Sequence, residues 1–298
     1  MEFWRPPRSG APVAPLRTPV PRFVLSLTCV AALAGCSAQL FLRVDQRRID
    51  ERLLFFLGGG GNSLVLTHGS EAFVCDVKFG STARQLRFDV ERELVKSARR
   101  LLLTHSHLDH TGGLALYSEV GAVVVHPNTR KRLQAEGAIA PFVEVDRELQ
   151  LLIAGETVRI LFAGVGHTDG DLVALLVNRR LLIAGDLLVN GFEPSIDETA
   201  GGNALAFRAT LDRVLELDFT EALPGHGEPM TRAQVVQVRD YLLAVETVVR
   251  QERALGKTVD EAARDIHLDG FDAFEPLAFG ASSREKTIRQ MYRALESP

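Results

Sequence analysis

The chain has 298 residues, 46% of them hydrophobic and 24% charged, with a net charge of −4 at neutral pH. That balance suits a globular protein with a sizeable core, and the lack of any polybasic block argues against nucleic acid as a partner. Only three cysteines are present, Cys29, Cys36 and Cys75, which excludes a disulfide framework but not an oxidising compartment.

Residues 1–22 are proline-rich and carry Arg5, Arg8, Arg17 and Arg22 against a single acid, Glu2. Residues 23–35 are apolar and uncharged, too short to span a bilayer comfortably but suited to the central region of a secretory signal. Leu33-Ala34-Gly35-Cys36 is similar to the lipobox of bacterial lipoproteins, whose cysteine becomes the acylated first residue of the mature chain. Residues 1–36 are therefore expected to be a signal peptide, with Cys36 as the lipid anchor. In the Gram-negative sorting pattern that this resemblance implies, Ser37 rather than Asp after Cys36 favours the outer membrane, facing the periplasm or the outside.

From Ser37 an amphipathic segment ends in four glycines, Gly58–Gly61, read as a loop beside a first strand. Asn62–Thr67 and Ala72–Val77 form a hairpin about His68-Gly69-Ser70-Glu71, with His68 an exposed turn residue and Asp76 near the end of the second strand. Residues 82–99 show helical spacing through Leu86, Val90 and Leu94. Leu101-Leu102-Leu103 is too short for a helix and reads as a strand covered on both faces. It ends in Thr104-His105-Ser106-His107-Leu108-Asp109-His110, three imidazoles and a carboxylate within six residues. These are ligands for a borderline divalent ion such as zinc.

Ala122–Val125 is another buried strand; His126 is read as structural, and Pro127 opens a helix to about Ala135. Leu149–Ile153 and Thr157–Phe162 pair about Ala154-Gly155-Glu156. A glycine-rich loop, Gly164–Asp171, then presents His167. Leu172–Val177 and Leu181–Ala184 form a hairpin with Gly185-Asp186 directly behind it, a helix covers Ala204–Leu217, and the strand Glu221–Leu223 runs into Pro224-Gly225-His226-Gly227. An apolar strand followed by a loop bearing His or Asp thus recurs at 105–110, 167, 186 and 226, the usual way a rigid scaffold presents a site.

The last third, 231–298, reads as a helical extension packed on a catalytic domain of 37–230. Thr231 caps a helix to about Leu255, Thr258 to Glu261 is a capping box, and Ser282 to Glu285 opens a final helix. Between them Phe271, Phe274 and Phe279 read first as aromatics pinned into the core, and second as a wall of the substrate cleft.

With His105, His107, Asp109, His110, His167, Asp186 and His226 in this order, the sequence resembles the metallo-β-lactamase superfamily over roughly residues 50–230. The resemblance implies an α/β (α+β) fold, an αββα sandwich of two mixed sheets with helices outside and a dimetal site at one edge. It implies that His105, His107 and His167 hold one metal, that Asp109, His110 and His226 hold the other, and that Asp186 bridges them. Two zinc ions are expected, with iron or manganese as alternatives. Two such ions sharing a water lower its pKa toward neutrality, and Asp109 is placed to orient that nucleophile and take its proton. Thr104, Thr168 and Asp171 are candidates for fixing the imidazole tautomers.

The closest likeness is to the hydrolase-like group related to the quinoprotein-relay metallohydrolases. It implies hydrolysis of a small-molecule ester, thioester, lactone or lactam, against an iron-dependent oxidoreductase of the persulfide dioxygenase kind. Asp186 stands where the resemblance places a cysteine in thiol-dependent β-lactamases, which turns the reading from lactams. Residues 267–281 hold no Lys or Arg to read an anionic glutathione tail. An ester or thioester with an apolar acyl part, seated against Phe192 and the 271–279 loop, is the expected substrate.

Overall fold

A computed structural model describes residues 43–93, 97–153, 155–276 and 283–296. The described residues all lie in one compact unit. The leader and Cys36 lie outside the described residues. Among the described residues no helix is long and apolar enough to cross a membrane.

The first sheet takes seven strands in chain order: β1 (Val44–Arg48), β2 (Leu53–Gly58), β3 (Ser63–His68), β4 (Glu71–Cys75), β5 (Ser97–Leu102), β6 (Ala122–Val125) and β7 (Phe142–Glu144). β1 to β4 are antiparallel, and β4 to β7 are parallel. The second sheet has the order β13-β12-β11-β10-β9-β8, from β8 (Glu148–Ile153), β9 (Glu156–Phe162), β10 (Leu172–Leu176), β11 (Leu181–Val189), β12 (Glu221–His226) and β13 (Met230–Thr231). Only β11 and β12 run parallel there.

Period-2 alternation explains why the sheets stack. Leu53, Phe55 and Leu57 of β2 enter one apolar layer with Phe73, Leu102, Ile160, Leu172 and Ile183, drawn from both sheets. Leu54 and Phe56 point the other way, to a layer with Leu86, Val90, Tyr117 and Leu133. Strands buried on both faces read as continuous apolar runs, because neither face meets water.

The outer layers are helical. Helix α1 (Gly80–Phe88), the short α2 (Leu108–Thr111) and α3 (Pro127–Ala135) follow strands of the first sheet. Helices α4 (Ala204–Leu215), α5 (Arg232–Ala254), α6 (Val259–Asp265) and α7 (Arg284–Ala294) supply Phe207, Tyr241, Ala262 and Met291 to a layer with Val173, Leu182 and Leu188 of the second sheet. β13 leads directly into α5, whose N-cap Thr231 forms a capping box with Gln234. The expected αββα sandwich is present.

Two local expectations are corrected. The helix read over 82–99 ends as α1 at Phe88, with a π turn over Asp89–Glu93, and Ser97 already pairs in parallel with Glu71. Leu86 and Val90 are buried as their spacing requires. Beyond them the ladder between β4 and β6 overrides local helix preference. Second, β11 continues through Asp186 to Val189, so this residue lies within the strand rather than behind it. The first reading of the phenylalanines agrees with the structure: Phe271 and Phe274 pack edge-on or tilted against the fully buried Tyr241, at 5.5 and 5.3 Å between rings. They belong to the core; Phe279 lies outside the described residues.

Candidate metal centre

The seven expected donors converge where the two sheets meet. His105, His107, His167 and Asp186 form one group and Asp109, His110 and His226 a second, with donor atoms inside each group within 4.8 Å of one another. His105 to His110 leave the end of β5, His167 comes from the loop between β9 and β10, Asp186 from β11 and His226 from the end of β12. A register shift between β11 and β12 flanks Asp186. Bulges of this kind re-aim a side chain beside a site. Gly225 of β12 must be glycine, since a Cβ there would lie 1.9 Å from Asp186 Oδ1.

Asp186 separates the two groups with its own oxygens. Oδ2 faces His167 Nε2 at 3.6 Å and His105 Nε2 at 3.9 Å, while Oδ1 faces His110 Nε2 at 3.2 Å and His226 Nε2 at 3.5 Å. Asp109 Oδ2 completes the second group, 3.1 Å from His226 Nε2 and 3.6 Å from His110 Nε2. His105, His110, His167 and Asp186 are buried, whereas the side chains of His107, Asp109 and His226 keep 30, 32 and 23% of their exposure. The centre therefore has a dry floor and an open mouth.

The hydrogen-bond network assigns the tautomers. Asp76 Oδ2 accepts from His110 Nδ1 at 2.7 Å and from the Thr104 hydroxyl at 2.8 Å, and Thr104 Oγ1 in turn accepts from His105 Nδ1 at 3.0 Å. Asp197 Oδ2 accepts from His107 Nε2 at 2.9 Å, and the Ser195 carbonyl accepts from His167 Nδ1 at 2.8 Å. Each ring thus spends its N–H outward and turns a lone pair inward. His107 Nδ1 and His167 Nε2 then stand 2.9 Å apart, two lone pairs facing each other. His105 Nε2, His110 Nε2 and Asp186 Oδ1 are buried without a well-formed hydrogen bond among the described residues. Buried acceptors cost free energy unless something positive satisfies them. The donor set fits divalent metal, with imidazole and carboxylate and no thiolate.

Charge follows the same division. Burial, then His110, pulls His105 well below its ordinary pKa, and burial lowers His167 to about 4, so both are neutral at pH 7. In the second group burial also opposes charge, but Asp186, Asp109 and Asp76 together hold His110 well above its ordinary value. Asp186 and Asp109 likewise raise His226 to about 9. Three carboxylates here favour a positive charge among them, whether carried by a proton or a metal.

Some tautomer-fixing residues differ from expectation. Thr104 reaches His105 as anticipated. Thr168 and Asp171 instead bond each other, backbone N–H to Oδ2 at 2.8 Å, and burial raises Asp171 to about 7; they brace the His167 loop and touch no donor ring. Asp76, Asp197 and Ser195 do the holding. Asp76 was visible as an acid ending a buried strand, the same pattern that marks the donors, but Asp197 and Ser195 carry no such signal. His126 caps α3, accepting from Asn128 N–H, and stacks on Phe162 at 4.2 Å. His68 is exposed at the end of β3.

Against known proteins, the family model of the metallo-beta-lactamase superfamily matches residues 57–226, a span holding all seven donors. The chain belongs to the metallo-beta-lactamase superfamily. It is 23% identical over 186 residues to the metallo-beta-lactamase type 2 of Bacillus cereus, covering 61% of this chain and 72% of that one. It is 24% identical over 235 residues to the atrochrysone carboxyl ACP thioesterase of Aspergillus fumigatus, covering 70% and 69%. Among solved structures, a metallo-beta-lactamase from Pontibacter korlensis superposes with a TM-score of 0.61 at 18% identity, covering 67% of this chain and 99% of that one. As a member of this superfamily the chain is a metallo-beta-lactamase-fold hydrolase.

Beside the centre lies a cavity of about 300 Å³, lined by His107, Ser195, Ile196, Asp197 and, from α7, Lys286 and Gln290. Leu108 stands 66% exposed at the mouth, one residue before Asp109. Helix α7, and not the 271–279 loop of the second reading, lines this cavity. Lys286, outside the stretch 267–281, brings a cation to the cavity that the sequence reading did not place there.

Proposed function

We propose that the chain is an exported dinuclear zinc hydrolase that cleaves an ester, thioester or related acyl bond of a small molecule. The observation that carries the reading is Asp186, one oxygen turned to each donor group. His105, His107 and His167 would hold the first zinc and Asp109, His110 and His226 the second, with Asp186 shared. Bound zinc supplies Lewis acidity and lowers the pKa of water.

The side chains do the rest. Asp109, a third exposed, is the carboxylate at the mouth that can orient an incoming water and accept its proton. Asp197 holds the His107 ring, and hydrogen bonds from Thr199 and His107 keep its carboxyl at about 2 against the pull of burial. The acyl part would enter the cavity beneath α7, where Ile196 supplies apolar lining. The relative named as an atrochrysone carboxyl ACP thioesterase supports the thioester reading, and the relative named as a metallo-beta-lactamase supports the lactam alternative.

Purified full-length protein should contain two equivalents of zinc and show kcat/KM rising with acyl length on neutral aryl esters and thioesters. One equivalent of iron without zinc would overturn the dizinc reading. Faster turnover of a cephalosporin or a glutathione thioester than of every neutral ester would overturn the substrate.

The same proposal places the protein on a membrane through acylated Cys36. Several acyl chains hold firmly where one binds only marginally. Cys36→Ser should therefore move the protein to a soluble or unprocessed fraction. Unchanged mass and membrane fractionation would refute the anchor.

A further inference from the structure

Lys78 is wholly buried, 0% exposed, yet it lies in no ion pair among the described residues. Its ammonium donates to three backbone carbonyls, of Phe56 at 3.0 Å, Gly58 at 2.6 Å and Gly61 at 2.7 Å. Lys78 also adopts φ of +57°, a left-handed conformation costly to a side-chain-bearing residue. A buried cation in a strained backbone persists only where the surroundings over-determine it.

Those surroundings are the glycine loop of residues 58–61 and Asn62. The loop touches every member of the second donor group or the residue beside it. Gly61 N–H donates to the Asp109 carbonyl at 3.1 Å, and a Cβ on Gly61 would sit 2.3 Å from the His110 ring. Asn62 N–H donates to the Gly225 carbonyl at 2.7 Å, and its amide donates to the carbonyls of Pro224 and Gly227, on either side of His226. Glycine loses more conformational freedom on ordering than any other residue, so four in a row form a wall only if something fixes them. Two of the segment's carbonyls, of Gly58 and Gly61, turn inward onto Lys78 beside that of Phe56 in β2, and a third, of Gly59, accepts from the Thr82 hydroxyl at 2.7 Å.

We infer that Lys78 is a positioning residue: its ammonium fills a tricarbonyl cation cage and so seats the glycine loop against Asp109, His110 and the His226 turn. Three converging carbonyls match the three N–H donors of an ammonium, and lysine supplies that cation tethered to the chain. Burial, the leading influence, lowers the pKa of Lys78 to about 7 against the pull of Asp76 and Asp109. The cage favours the charged form, because only an ammonium has three N–H groups for three acceptors. The inference rests on the dinuclear reading only where it concerns metal occupancy.

The test removes the tether and offers a free cation. Lys78→Ala leaves the cage open to potassium or ammonium. In sodium buffer its melting temperature should fall by at least about 5 °C and its kcat by about 10-fold or more. Its zinc content should drop from two equivalents toward one. Ammonium or potassium chloride at about 0.1 M and above should restore part of the melting temperature and part of the second equivalent. Choline chloride at the same ionic strength should restore neither. Equal effects of choline and ammonium, or a variant indistinguishable from the parent, would overturn the inference. Should Lys78→Ala yield no folded protein in sodium buffer, soluble yield in ammonium buffer decides: recovery supports the cage, and failure in both refutes it. Because cation rescue of melting is read without zinc analysis, a parent with only one metal would sink the dinuclear reading and leave this result standing.

Discussion

Replacing Asp109 with Asn is expected to lower kcat by about 10²–10⁴-fold, the range for losing a positioned general base, while the melting temperature of the metal-stripped protein changes little. The carboxylate is a third exposed and makes its close contacts to His226 and His110 rather than to the core, so an amide of equal volume fits without a cavity. What is lost is chemistry: an amide nitrogen cannot accept the proton. Parallel variants His126→Ala and His68→Ala should do little to kcat, since one caps α3 and the other ends β3 in solvent. Stopped-flow rates with circular dichroism melts separate the outcomes, and equal losses in all three variants would mean the site is misplaced.

Asp76→Ala should weaken metal affinity and kcat/KM by about 10–100-fold although Asp76 turns no atom to the centre, in line with the loss of groups that hold ligands. Its Oδ1 accepts the Thr104 N–H and its Oδ2 accepts from both His110 and the Thr104 hydroxyl, so one carboxylate sets the tautomers of His110 directly and His105 through Thr104. Asp76→Asn, with one acceptor oxygen for these donors, should fall between. Chelator competition would measure the affinities. An Asp76→Ala protein that holds metal as tightly as the parent would show that these rings orient themselves.

The contrast between these two residues shows how much was readable in the chain. The donors were legible because each follows a buried apolar strand, and His105 to His110 fall within one loop where sequence neighbours are spatial neighbours. Their fold context was legible for the same reason: burial of β2 and β3 on both faces leaves continuous apolar runs in the chain. The groups that hold the donors are distant, with Asp76 34 residues from His110, Asp197 90 from His107 and Ser195 28 from His167. A single strand cannot reveal which strand lies beside it, so Thr168 and Asp171, close in sequence, drew attention that belonged to Asp197. The same locality misled at Ser97–Arg100, where helix-favouring arginines enter a ladder whose partners are β4 and β6. Lys78 is the extreme case, a charged residue that sequence alone would place on the surface.

Each donor group draws on both sheets: His105 and His107 with His167 and Asp186, then Asp109 and His110 with His226. Any cation held there works as a rivet through the seam of the sandwich. Its binding free energy adds to the resistance of the two sheets to parting, by about 2.7 kcal/mol when free metal stands at 100 times its dissociation constant. Folding and loading are therefore a single event viewed from two sides. A cell compartment poor in the metal would lower the amount of folded protein as well as its rate.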